Sequence, residues 1–131
     1  MGLIKVVCGI IFKDGKVLIC RRKPEKSLGG YWEFPGGKIE DGESNEESLN
    51  RELLEELGMK VDVKNYFRTN IHTYEKFTIE LIAYKCHFIH ANYKLTDHDT
   101  YKWVSVKDLK NINLAPADIP LAIELLNSDN D

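Results

Sequence analysis

At 131 residues, with 43% hydrophobic and 30% charged content, the chain has enough apolar material for one domain with its own core. A net charge of −3 argues against a general nucleic-acid binder, which carries a basic excess. No apolar run approaches the roughly 18 residues of a membrane helix and no signal peptide opens the chain, so a soluble cytoplasmic protein is expected.

Leu3 to Phe12 is apolar and β-branched and reads as a strand. Lys13-Asp14-Gly15-Lys16 supplies the Asp-Gly signal of a tight hairpin, and Val17 to Arg22 returns as the second strand. A polar loop follows from Lys23 to Gly30. Tyr31 to Phe34 reads as a short strand that Pro35-Gly36-Gly37 ends. Ser44 is a good N-cap, and Glu47 three residues on completes a capping box, so a helix is expected from Asn45 to Leu57 with Gly58 as its stop. Its predicted buried stripe is Leu49, Leu53, Leu54 and Leu57. Lys60 to Tyr74 and Phe77 to Ile89 read as two strands joined by a short turn, with a polar loop from His90 to Thr100. Lys102-Trp103-Val104 is a short strand and Val106 to Leu109 one helical turn. The last helix is expected from Ala117-Asp118 to Asn127, with Pro120 tolerated in its first turn and Ser128 to Asp131 a frayed tail. Strands around a central helix, with a second helix at the end, predict an α/β fold: a mixed sheet flanked by helices.

Cys8, Cys20 and Cys86 lie in apolar, strand-like runs without the spacing of a zinc site, so buried free thiols are expected. The four histidines form no ligand motif. Charge is distributed unevenly. Lys13 to Lys26 holds six basic and two acidic residues, whereas Lys38 to Glu56 holds eight acidic and two basic ones. A basic stretch followed by an acidic one suits a polyphosphate bound through metal; two solvated faces are the plainer explanation.

The spacing of three carboxylates is more specific. On a helix, Glu52, Glu55 and Glu56 fall within an arc of about 100°. Like charges so placed repel by roughly 0.2–0.5 kcal/mol per pair, so a helix that keeps them together points to a cation. Oxygen ligands beside glycines suit a hard divalent ion and phosphate chemistry. Glu43 lies just before the helix and can add a further ligand. Arg51, at the edge of the arc, can pair with a carboxylate and fix its rotamer. Ser48 falls inside the arc, where its small side chain lets a loop approach closely.

Gly37, five residues, Glu43, seven residues, then Arg51-Glu52-Leu53, one residue, Glu55-Glu56, one residue and Gly58-Met59 meet every fixed position of a known motif. The segment resembles the Nudix box. The likeness extends over residues 3 to 126. Arg21-Arg22, Trp32-Glu33-Phe34-Pro35-Gly36-Gly37-Lys38 and Leu114-Ala115-Pro116-Ala117-Asp118-Ile119-Pro120 resemble the MutT-like branch, which hydrolyses nucleoside triphosphates.

That resemblance implies a single Nudix domain over residues 1–131, an α/β/α sandwich with a central mixed sheet. It implies attack of water on a phosphoanhydride, releasing a nucleoside monophosphate and pyrophosphate. Glu52, Glu55 and Glu56 would bind Mg²⁺ or Mn²⁺, with Glu43 and the Gly37 carbonyl completing the shell. Arg22 and Lys38 are natural phosphate contacts. The family often places a Glu-His pair ahead of a tryptophan on the late strand as the source of the base. Here that position is Asp97-His98 before Trp103, one methylene shorter, and Glu55 or Glu56 can serve instead. Asp118 and Phe34 are expected at the nucleobase, Asp118 also being a possible first-turn acid of the last helix. The expected partner is a small nucleotide, 8-oxo-dGTP or a cytosine nucleotide such as CTP, dCTP or 5-methyl-dCTP. Direct nucleic-acid or membrane contact is not expected, and the protein would be a monomer or homodimer. Tyr74, 16 residues after Gly58, resembles a tyrosine of diadenosine-polyphosphate members and keeps open a dinucleoside polyphosphate or nucleotide-sugar hydrolase. A non-catalytic nucleotide sensor is disfavoured because such members lose box carboxylates.

Overall fold

The computed structural model of the protein describes residues 2–129. Strands β1 (Leu3–Lys13) and β2 (Lys16–Arg22) form the expected hairpin. Asp14 (φ 51°) and Gly15 (φ 77°) both take left-handed conformations, the backbone a two-residue hairpin turn requires. Strand β3 (Trp32–Glu33) pairs with the end of β2. The expectation that Pro35-Gly36-Gly37 only ends a strand needs correcting: Gly36–Lys38 is itself a short strand, β4, antiparallel to Val6–Cys8 of β1. A Cβ on Gly36 would strike the Val7 carbonyl, so only glycine lets the two backbones meet there.

Helix α1 (Asn45–Leu57) has the predicted bounds, and its capping box is complete: Ser44 Oγ accepts from Glu47 N–H, and Glu47 accepts from Ser44 N–H. Gly58 ends it at φ 63°, donating to the Leu53 and Leu54 carbonyls. Leu49, Leu53 and Leu57 are fully buried, but Leu54 is 63% exposed, contrary to expectation. The other three form an i, i+4, i+8 row, and Leu54 sits about 100° around the helix from Leu53, past the edge of the contact.

Strands β5 (Met59–Thr73) and β6 (Thr78–Ala91) form a long antiparallel pair. β6 runs parallel to β1 from Leu3↔Thr78 to Phe12↔His87, and β7 (His98–Ser105) runs antiparallel to β2. β7 thus begins four residues before the predicted Lys102. Two 3-10 turns (Val106–Asn111 and Pro116–Asp118) lead into α2 (Ile119–Asp129). Ala117 and Asp118 belong to the second turn instead of the helix proper, and Ser128 and Asp129 continue the helix where a frayed tail was expected. Asn130 and Asp131 lie outside the described residues.

The seven-stranded sheet is mixed, and its two faces bury separate clusters. Ile10 and Ile19 face Leu121 and Leu125 of α2, whereas their neighbours Ile11 and Leu18 face Leu49, Leu53 and Leu57 of α1. That alternation is the period-2 pleat, and it produces the expected α/β/α sandwich. Cys8, Cys20 and Cys86 are buried and free, as expected. Among the described residues no helix is long and apolar enough to cross a membrane.

Candidate active site

Arg51 organises the outer half of the site. Its guanidinium grips Glu43 at two points (Nε–Oε2 2.7 Å, Nη2–Oε1 3.0 Å), and Nη1 reaches Glu52 at 2.8 Å and Glu55 at 3.2 Å. Nη2 also donates to the Lys38 carbonyl at 3.1 Å, tying α1 to β4. Ser48 Oγ donates to Glu43 at 2.7 Å, so the small side chain does let the loop before α1 close onto the helix. The bonds from Arg51 and Ser48 hold the Glu43 carboxyl down at about 2. Gly37 fits beneath this cluster because it has no side chain: a Cβ there would overlap the Glu52 carboxylate.

A cavity of about 650 Å³ opens beside the cluster. Glu52, Glu56, Asp97 and Glu33 line it, with Arg22 and Lys38 as its basic residues. Burial pushes Glu52 above the usual carboxylate range, against the opposing pull of Arg51. Burial, and then a hydrogen bond to the Asp97 carboxyl, pushes Glu56 well above it. The same hydrogen bond, with Lys26 Nζ at 3.2 Å, holds Asp97 below it. Asp118, also in the lining, is 4% exposed, and its Oδ2 accepts from Phe34 N–H at 2.9 Å. Burial drives this carboxyl far above its ordinary range. Phe34 touches the cavity but is only 2% exposed and packs mainly in the core.

The structure thus gathers Arg22, Lys38, Phe34, Gly37, Glu52, Glu56, Asp97 and Asp118 around one cavity. Glu43, Glu55 and Arg51 do not line it. Glu43 is locked on Arg51 and Ser48, and Glu55 is 61% exposed. Among the described residues, no three His, Cys, Asp or Glu side chains are gathered closely enough to hold one ion. The physical reason is Arg51, which draws Glu43, Glu52 and Glu55 onto itself while Glu56 turns to Asp97. The donor set still fits a hard divalent cation. It is all oxygen, it crowds six acids against two bases around the cavity, and burial disfavours the charged form of Glu52 and Glu56. A cation would supply the missing charge.

Glu33 lines the cavity and was given no role from the sequence. On β3, it accepts from Arg22 Nη1 at 3.3 Å and contacts His98 Nε2 at 2.8 Å. A charged residue between Trp32 and Phe34 was its only signal, since a carboxylate in an apolar run needs a partner. His98, named from the sequence only as the partner of Asp97 in the Asp97-His98 pair, has a fully buried side chain. Tyr74 lines the cavity, but its hydroxyl is occupied by Ala117 N–H at 3.0 Å and its ring packs on Phe77.

Comparison with known proteins accords with this geometry. The NUDIX domain family matches residues 6–123. The CTP pyrophosphohydrolase of Escherichia coli K12 is 38% identical over 121 residues, covering 92% of this chain and 90% of that protein. A putative 8-oxo-dGTP diphosphatase 2 of Mycobacterium tuberculosis is 36% identical, covering 86% and 81%. The solution structure of a MutT protein from methicillin-resistant Staphylococcus aureus 252 superposes with a TM-score of 0.77 at 37% identity, covering 97% of this chain and 98% of that one. A match to the family over most of the chain, together with relatives above 30% identity along most of their length, settles the assignment: the chain belongs to the Nudix hydrolase family.

Proposed function

We propose that this protein is a cytoplasmic, metal-dependent nucleoside triphosphate pyrophosphohydrolase built as one Nudix domain. It converts a (d)NTP and water to a (d)NMP, pyrophosphate and a proton. Its substrates are 8-oxo-dGTP or CTP, for which relatives are named, or the related cytosine nucleotides dCTP and 5-methyl-dCTP. The observation that carries this reading is the mixed lining of one cavity. The buried carboxyl Asp118 and the apolar Phe34 share it with the carboxylates Glu52, Glu56 and Asp97 and the bases Arg22 and Lys38. A molecule with a hydrogen-bonding base and a charged phosphate tail matches both kinds of lining.

Nudix hydrolases generally depend on divalent metal. Here Glu52, Glu56 and the Gly37 carbonyl, with Glu55 and Glu43, would hold Mg²⁺ or Mn²⁺, which neutralises phosphate charge and acidifies water. Arg22 and Lys38 hold the phosphates. Arg51 keeps Glu43, Glu52 and Glu55 in place through its four short contacts. Asp97 lines the cavity beside Glu56 and its carboxyl is held low, so it accepts the proton of the attacking water. At the nucleoside end, Asp118 hydrogen-bonds an amino or imino group of the base, and Phe34 supplies apolar contact.

The test is product analysis with Mg²⁺ over 8-oxo-dGTP, dCTP, CTP, 5-methyl-dCTP and diadenosine polyphosphates. Pyrophosphate and a monophosphate are expected from at least one triphosphate. Glu56→Gln should lower turnover by on the order of 100-fold or more with the fold intact. Release of inorganic phosphate with a diphosphate, or wild-type turnover in the variant, would overturn the reading.

A further inference from the structure

His98 does not line the cavity, yet it faces two carboxylates that do, Glu33 and Glu56. It opens β7 opposite Arg22, where the β2–β7 register shifts between Arg21 and Arg22. Such irregularities re-aim side chains beside active sites. Its side chain has no solvent exposure. Nε2 lies 2.8 Å from Glu33 Oε2, and Nδ1 faces Glu56 Oε2 at 4.0 Å. Among the described residues Nδ1 has no hydrogen-bond partner, an unusual state for a buried ring nitrogen. Glu33 accepts from the phosphate contact Arg22 and precedes Phe34, whose N–H meets Asp118, so it connects the nucleoside side to Arg22. Glu56 belongs to the carboxylate cluster on α1. The imidazole is the side chain that spans the two.

We propose that His98 is a positioning residue that couples the two halves of the site. Its Nε2 edge anchors Glu33, and through it Arg22, while its Nδ1 edge braces Glu56 once a nucleotide fills the cavity. The inference rests on the triphosphate reading above. It makes the nucleoside end felt at the reacting end without any contact between His98 and substrate.

Two carboxamides separate the edges, because a Gln nitrogen reaches the place of Nε2 and an Asn nitrogen only that of Nδ1. His98→Gln is expected to keep the affinity for a non-hydrolysable α,β-methylene nucleotide, measured by calorimetry, within a few-fold while kcat falls roughly 10- to 100-fold, the usual effect of losing a supporting partner. His98→Asn is expected to weaken that affinity by about tenfold with the smaller loss in kcat. Equal losses in both variants, or no loss in either, would overturn the coupling. A readout that leaves His98 itself in place is the ¹⁵N spectrum of its ring. Glu33→Gln should shift Nε2, and Glu56→Gln should shift Nδ1 in the nucleotide complex; unchanged ring resonances in both count against the proposal even if the His98 variants fail to fold. A wild-type protein that releases no pyrophosphate would sink the triphosphate reading, while the ring resonances still decide the role of His98.

Discussion

Asp118 shows how a single side chain can hold the fold and present chemistry together. One oxygen closes the Phe34 N–H, an amide that would otherwise be buried without a partner. The carboxyl also lines the cavity, where burial favours its neutral form. For an acid whose folded-state pKa is raised, the sign is fixed. Its stabilising contribution is complete below the ordinary aspartate range and is lost as pH rises through the folded-state value. At neutral pH a carboxamide therefore costs the fold nothing, because Asn Oδ1 can still accept from Phe34. Asp118→Asn should melt at or above the wild-type temperature near neutral pH. The variant should also change the ratio of kcat/KM between cytosine and oxidised-guanine nucleotides by on the order of tenfold, the effect of one changed hydrogen bond. A variant that melts well below wild type with an unchanged ratio would leave Asp118 a structural residue only.

On the scale of elements, α1 carries most of what could be read from the sequence. Its start, its stop and its acidic arc follow local rules, because capping and helical periodicity depend on residues a few positions apart. Leu54 marks the limit of such reading. Its apolar character says nothing of where the sheet ends, and the structure leaves it in solvent. Strand β4 was hidden for the opposite reason. Gly36 and Gly37 look like a turn, but they are glycines because β1 and the Glu52 carboxylate press against them. Ser44 does not line the cavity, so the contribution of its cap can be measured separately. Ser44→Ala should cost about 1 kcal/mol of stability through loss of the bond to Glu47 N–H, with KM and kcat near wild type. Denaturant unfolding and steady-state kinetics check both halves of this expectation, and a large loss of turnover per folded molecule would show that the cap also sets the carboxylates.

The complete site exists only at the scale of the whole molecule. His98 meets Glu33 across 65 positions, and Asp118 meets Phe34 across 84, separations at which no local pattern operates. That is why the reaction class was legible in the box, while the partners of Glu33 and the burial of His98 were not. The same convergence makes stability depend on charge. Glu33, Glu52, Glu56 and Asp97 share a cavity with Arg22 and Lys38. Burial and Asp97 raise Glu56, so without metal the fold favours its protonated form. The stability this contributes is present below the ordinary carboxylate range and is lost as pH rises through the raised folded-state pKa. The melting temperature of metal-free protein should accordingly fall as pH rises above neutral. A divalent ion competes with that proton and binds the folded state alone, adding about 2.7 kcal/mol when its concentration is a hundredfold above Kd. Mg²⁺ should therefore raise the melting temperature by several degrees, and by more at higher pH. Glu56→Gln should flatten the metal-free pH dependence and shrink the Mg²⁺ increment. Thermal scans in EDTA and in Mg²⁺ across a pH series measure both, and an increment in wild-type protein that does not change with pH would show that ion and proton do not compete for Glu56.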